Sequence, residues 1–209
     1  LNPGPGLYQL LVERARLATV AVPTERDGLD VVPSDHTTAE VPPALLGKPG
    51  FDTRLQRALK SAPYDWLLID TAPSLSPLHI LAFLAADWLL VPVELSHGGG
   101  LGVAQVLRLV ATLKEDAGAH IRLAGILPTK LDRRLKESAA QLRALVEHYP
   151  KLVWPPIPTD AKAIEAPAFG KTLLEYSPGC AALDGREVGG KLIGGYRQAL
   201  RRLERTVKA

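Results

Sequence analysis

Three short, mostly apolar runs separated by amphipathic helical stretches predict an α/β fold: a three-layer arrangement with a mostly parallel β-sheet flanked by helices. The runs are Trp66–Ile69, Trp88–Val93 and Ile121–Leu127. Their length and their near-absence of polar breaks are what strands buried on both faces of a parallel sheet require. Between them, Phe51, Leu55 and Leu59 recur every four residues within Phe51–Ser61, and Val103–Lys114 reads as a second helix. Strand, helix, strand in that order implies a crossover between parallel neighbours. At 209 residues the chain is long enough for one well-buried domain, and a single domain over residues 1–209 is expected.

Taken in order, the opening LNPGPG is built of turn formers and precedes a short helix predicted over Leu7–Arg16. Gly28–Pro33 reads as a strand bounded by turn residues, and Pro42 to Gly50 as a loop. After the helix of Phe51–Ser61 the strand of Trp66–Ile69 runs into Asp70, and Pro73 and Pro77 prevent it from continuing. A short apolar helix to Ala86 leads to the second strand. The following loop, Glu94–Gly102, holds three consecutive glycines and His97, which reads as a solvated loop histidine. Beyond the third strand, which contains Gly125, an apolar stripe of Leu131, Leu135, Leu142, Leu145 and Val146 predicts a helix. Lys130, Arg133, Arg134 and Lys136 cluster at its predicted start, where cations oppose the helix dipole, so their retention there implies a role for the charge. Ser177–Gly195 is glycine-rich and reads as partly irregular. Tyr196–Lys208 is predicted as a helix with Tyr196, Leu200, Leu203 and Val207 inward and Arg197, Arg201, Arg202, Arg205 and Lys208 outward.

Composition narrows the function classes. With 46% hydrophobic and 22% charged residues the chain reads as globular and soluble. No apolar run approaches the roughly 18 residues of a membrane span, and no Cys/His spacing of a metal site occurs. Cys180 is the single cysteine and cannot form an internal disulfide, which fits a reducing compartment. The net charge of +3 hides two basic segments: residues 122–151 carry seven Lys/Arg against three acids, and residues 191–209 carry six against one. Base concentrated in two helical segments is the footprint of a polyanion partner, although solvated helix faces also collect Lys and Arg.

Asp70 stands at the carboxyl end of its predicted strand. Ligands of open α/β sheets bind outside those ends, so the residue is placed for chemistry; the same position also fits an Asp that starts a turn or caps the next helix. YDWLLIDTAPSL at Tyr64–Leu75 resembles the Walker B segment of the ParA/MinD family of partition and positioning ATPases, whose strand-end Asp holds Mg²⁺ through water. IPTDAKAIEAPAFGKTLLEY at Ile157–Tyr176 resembles that family's "IPR…EAP.FGKP…Y" stretch near the nucleotide base, with Glu165, Ala166, Pro167, Phe169, Gly170 and Lys171 in register. Thr129 resembles the family's "TMYD" position, and Leu1–Gly4 the tail of its "DLDPQG" motif, so the chain is expected to begin inside that motif. The likeness covers nearly the whole chain and implies a P-loop NTPase-like sheet lacking the P-loop strand.

The resemblance implies ATP and Mg²⁺ as family cofactors, Asp70 as catalytic and Mg²⁺-holding residue, and Thr129, Pro158, Thr159 and Glu165 beside the nucleotide. Two departures weigh against activity. No G-x-x-x-x-G-K-[ST] pattern occurs to cradle phosphates, and Thr159 stands where the family has Arg. The chain is therefore expected not to turn over ATP, and to use no cofactor of its own. The implied function is chromosome or plasmid partition in the cytoplasm at the nucleoid, as a homodimer with a ParB-like partner and no membrane association. Non-specific double-stranded DNA would be gripped by Lys130, Arg133, Arg134, Lys136, Arg197, Arg201, Arg202 and Arg205. The alternative is a non-enzymatic relative that serves as a DNA-binding or scaffolding partner. Loss of the P-loop strand would also leave the apolar run before Asp70 without a sheet neighbour.

Overall fold

The computed structural model describes residues 6–72, 76–96, 99–188 and 191–208. Leu1–Gly4, Pro73 and His97 lie outside the described residues. Two compact units emerge, one comprising the chain through Asp87 with Val110–Ile121, the other Trp88–Leu109 with Arg122 onward.

The first unit is built from short helices: α1 (Leu7–Leu11), α2 (Leu17–Val20), α3 (Val41–Leu45), α4 (Arg54–Leu59) and α5 (Pro77–Ala85). A two-residue strand β1 (Val22–Pro23) pairs antiparallel with β2 (Asp30–Val31). The predicted strand at Gly28–Pro33 thus shrinks to two exposed residues. Leu10, Leu11, Val20, Val41, Leu45, Leu55 and Leu81 form the buried core of this unit. Pro77 opens α5, where a missing N–H costs nothing. Ser76 N–H donates to Nδ1 of buried His79 at 3.1 Å, which leaves the proton on Nε2 to reach the Ala72 carbonyl at 3.1 Å.

The largest departure from expectation lies here. Trp66–Asp70 forms no strand and is exposed throughout, Leu68 at 84%. A run of this kind is stable as a strand only when both backbone edges are paired and both faces covered. None of the described strands pairs with it. Its apolar side chains record a sheet position that these neighbours do not supply.

The second unit carries the parallel sheet. β3 (Trp88–Glu94) and β4 (Arg122–Thr129) run parallel in register from Trp88 opposite Arg122 to Glu94 opposite Thr129, with one irregularity between Leu89 and Leu90. The far edge of β4 is taken by an extended segment: Ile126 bridges Val153 and Leu131 bridges Pro158, both parallel. Helix α6 (Gly99–Ala117) connects β3 to β4, followed by α7 (Lys136–His148). Further along come α8 (Ala161–Glu165), a 3₁₀ turn at Ala166–Phe169, α9 (Leu173–Tyr176) and α10 (Ala181–Asp184). A hairpin of β5 (Arg186–Val188) and β6 (Lys191–Ile193) precedes α11 (Tyr196–Lys208). Val91, Val93, Val103, Ile126, Leu131 and Leu145 fill one cluster of this unit. Ala124, Leu127, Trp154, Ile157 and Ala182 fill another, joined by Ala199 and Leu203 of α11.

Helix α7 starts later than the apolar stripe predicts, at Lys136 rather than near Leu131. Lys130 adopts a left-handed φ of 54°, and Asp132 accepts the backbone N–H of Arg134 at 3.0 Å, so residues 130–135 are spent on a turn. Such local side-chain bonds compete with helix nucleation. Leu135, assigned to the stripe, is exposed. Buried Ser138 then ties α7 to the end of β3 by donating to the Leu95 carbonyl at 3.1 Å.

Gly125 has a packing reason. The Trp154 indole lies directly on its Cα, and a methyl group there would fall inside the ring at Nε1. Trp154 is 2% exposed and its Nε1 finds no hydrogen-bond partner among the described residues. Gly125→Ala must therefore displace the indole or the strand, and overpacking of this sort costs about 1–3 kcal/mol. Chemical denaturation should show that loss with an unchanged m-value; unaltered stability would mean that the packing of Trp154 on Gly125 carries no weight.

Candidate functional site

The carboxyl ends of the second unit's sheet bring four of the proposed site residues together. β3 ends at Glu94 and β4 at Thr129, its register partner, and Lys130 follows directly. Leu131 N–H donates to Ile157 O at 2.9 Å and Thr159 N–H to Leu131 O at 3.0 Å, which sets Pro158 and Thr159 beside the end of β4. The side chains are largely committed. Thr129 Oγ1 donates to Val93 O at 3.3 Å, and Lys130 Nζ meets Glu94 Oε2 at 2.7 Å.

Asp160 builds the next layer. Its carboxylate caps α8 through Lys162 N–H at 3.0 Å and reaches Ala182 N–H at 3.1 Å. Burial alone would raise its pKa, but the N–H groups of Lys162, Ala182 and Ala181 and the Cys180 thiol together hold it below the ordinary value. Glu165 accepts from Lys162 Nζ at 3.0 Å and from the Tyr176 hydroxyl at 2.9 Å. Lys162, and then Tyr176, draw the Glu165 pKa down, while Glu165 raises those of both partners. Phe169 stacks on Tyr176 with centroids 5.3 Å apart and rings 19° from parallel. Sequence reasoning named Glu165 and Phe169 but missed their grouping with Lys162 and Tyr176. The Lys162/Glu165 spacing of three on a helix was the available signal.

These residues can border a planar group, but they do not fit a polyphosphate. Thr129 and Glu165 are spent on protein partners, Pro158 and Thr159 bring no charge, and Lys130 is neutralised by Glu94. Asp70 belongs to the other compact unit, exposed in the unpaired stretch described above. Among the described residues no group of three or more His, Cys, Asp or Glu could hold a metal ion, and no helix is long and apolar enough to cross a membrane.

The two basic segments differ in available charge. In the cluster at residues 130–136, Arg134 forms a two-pronged pair with Asp132, Nε at 3.0 Å and Nη2 at 2.7 Å, and its side-chain bonds bring the Asp132 pKa down to about 2. With Lys130 also paired, the cations of that cluster left without an ion pair among the described residues are Arg133 and Lys136. On α11, Arg197 pairs with Asp184 at 2.8 Å. Arg202 is not outward as the helical wheel predicts: it is half-buried, its guanidinium 5.0 Å from the Trp154 ring centroid. Burial and then the neighbouring Arg205 lower its pKa. The inward face is correspondingly rotated, with Ala199 and Leu203 packed on the core and Leu200 56% exposed.

Residues 3–123 match the model of an AAA domain family. The chain is 36% identical over 156 residues to the chromosome-partitioning ATPase Soj of Thermus thermophilus, covering 73% of this chain and 60% of that protein. It is 32% identical over 180 residues to the chromosome-partitioning protein ParA of Caulobacter vibrioides, covering 84% and 67%. The chain belongs to the ParA/MinD family. It thus spans about two thirds of the length of these curated relatives. An ATP complex of a Cyanothece McdA variant shares the fold over all of this chain and 76% of its own, at TM-score 0.79 and 22% identity. Mycobacterium smegmatis cobyrinic acid a,c-diamide synthase, solved with ADP and magnesium, aligns at TM-score 0.67 and 28% identity over 77% of this chain and 66% of its own. ATP, ADP and magnesium thus accompany the family's fold, as the Walker B resemblance implies.

The Asp132–Arg134 pair carries a pH prediction. Because the folded pKa lies below the ordinary 3.8, the pair's contribution is complete above that value and is lost as pH falls through about 2. A carbon-13 titration of the Asp132 carboxyl should give a midpoint near 2, rising toward 3.8 in Arg134→Ala. A midpoint unmoved by that substitution would show that the ion pair is not the cause.

Proposed function

We propose that this chain is a partition protein of the ParA type that holds double-stranded DNA without sequence preference, chiefly through α11, and does not itself turn over ATP. The observation that carries this reading is the unneutralised charge of α11. Arg201, Arg202 and Arg205 have no ion pair among the described residues, whereas Lys130 and Arg134 in the first segment do. Phosphate neutralisation by Lys and Arg suffices for non-specific binding and needs no base-reading element. The relatives are named as chromosome-partitioning proteins, and the proposal extends to a setting in the cytoplasm at the nucleoid, as a homodimer with a ParB-like partner. In that setting Thr129, Pro158, Thr159 and Glu165 would border the base of a nucleotide.

A second reading, a non-enzymatic DNA-binding or scaffolding relative, is favoured by the exposed Trp66–Ile69 run. A partner that adds a strand there would cover it.

Arg202 packs on Trp154, so removing it would confound charge with packing. Arg201→Ala with Arg205→Ala is the cleaner test. Fluorescence anisotropy on a short duplex should show weaker binding and a salt slope shallower by about 0.9 for each phosphate no longer neutralised. Asp132→Asn, by releasing Arg134, should strengthen binding. Equal affinities and slopes for the wild type and the double variant would sink the DNA reading.

Calorimetry with ATP and Mg²⁺ on the same double variant should give no micromolar binding isotherm, since Lys130, which directly follows β4, is paired with Glu94. A micromolar dissociation constant would reverse that part of the proposal.

A further inference from the structure

A groove of about 600 Å³ runs along α11, bordered by Pro155, Gly194, Gln198, Arg201, Arg202 and Arg205. Its volume falls in the range of small-molecule sites, roughly 300–1,000 Å³. Backbone packing sets its shape. A Cβ on Gly194 would stand 2.8 Å from Pro155 Cβ and 3.0 Å from its carbonyl oxygen, and one on Gly195 would fall within the backbone of Leu183–Gly185. Only glycines let the chain enter α11 this close to both segments, so the wall formed by Pro155, Gly194 and Gly195 is set by backbone packing.

The charge inside is unbalanced. Arg202 is held over Trp154, half-buried, and Arg205 presses on it with like charge. Arg205 fixes its own Nε on the Arg201 carbonyl at 3.2 Å, which leaves its terminal nitrogens as donors. Glu204 also borders the groove, so the guanidinium groups of Arg201, Arg202 and Arg205 face one carboxylate. Guanidinium forks bind phosphoryl oxygens through paired, charge-assisted bonds.

We propose that this groove is a binding site for a small diphosphate-bearing anion, held by Arg202 and Arg205 against Pro155 and the backbone of Gly194–Gly195. Residues three apart on a helix stand about 5–6 Å from each other at Cβ, a spacing that lets two guanidinium groups converge on one compact diphosphate. A duplex presents its phosphates on a convex rod and meets the exposed outer edge, Arg201 above all. A small anion can reach the recessed Arg202. Occupancy would neutralise Arg202 and Arg205 on the helix proposed to hold DNA, so the small anion would act as a competitor. That competition rests on the DNA reading; the site itself does not.

The test uses inorganic pyrophosphate without magnesium, titrated calorimetrically into the full chain at low salt. Saturable one-site binding is expected, and Arg202→Gln with Arg205→Gln should weaken it at least tenfold. Arg133→Gln with Lys136→Gln removes the same charge outside the groove and should leave pyrophosphate binding within twofold while lowering DNA affinity. Arg205→Gln alone, an exposed position, should still cost several-fold if the double variant loses stability. Pyrophosphate should displace a labelled duplex from the wild type at the concentrations that saturate the groove. Absence of saturable binding at millimolar pyrophosphate, or equal losses from the two double variants, overturns the site. Intact pyrophosphate binding without any DNA binding would instead overturn the DNA reading and leave the site standing.

Discussion

The second unit depends on a stack of three groups: the backbone of Gly125, the indole of Trp154 and the guanidinium of Arg202. Ile126 exchanges backbone hydrogen bonds with Leu152 and Trp154, both at 2.8 Å, which brings the Trp154 segment alongside β4. The indole then has space only because residue 125 lacks a side chain. Arg202 also lies over the indole, so the aromatic ring transmits the position of the sheet to α11. A cation over an aromatic face gains on the order of 0.5–1 kcal/mol at partly exposed sites. The larger consequence is geometric: it turns a residue of nominal surface type into a fixed, half-buried charge.

That rotation separates the two basic segments in kind. Residues 130–136 place Lys130 and Arg134 next to carboxylates, so most of their field closes locally. Exposed pairs of this type contribute little to stability, but they do remove charge from any incoming anion. On α11 the acids are fewer, and Glu204 has no ion pair with the arginines among the described residues. Two segments of similar composition therefore differ in the positive charge they leave unpaired among the described residues.

Trp66–Asp70 is the opposite case, a segment whose composition is right for a buried strand and whose surroundings are not. Its exposed tryptophan, leucines and isoleucine carry apolar area into water, where each buried CH₂ would otherwise gain about 0.8 kcal/mol. Just beyond it, His79 holds the Ala72 carbonyl and the Ser76 N–H through its two ring nitrogens. The apolar run is thus unpaired by any described strand while the chain immediately after it is tied to α5.

Much of the fold was legible in the sequence. β3, β4 and α11 fall within a few residues of their predicted limits because each is specified by local periodicity and by punctuating Gly and Pro. Family membership was legible for the same reason, through contiguous motifs at Tyr64–Leu75 and Ile157–Tyr176. Of the candidate site, the gathering of Thr129, Lys130, Pro158 and Thr159 follows from placing two strand ends side by side. Only the tertiary structure decided which charges remain available, that Leu200 is exposed while Arg202 is half-buried, that α7 waits for a turn at Asp132, and that Trp66–Ile69 is unpaired by any described strand. Most of these depend on a partner distant in the chain: Glu94 for Lys130, Trp154 for Arg202, a neighbouring strand for Trp66–Ile69. A helical wheel or an apolar run records what a residue can pair with, and the packed chain determines whether that partner is there.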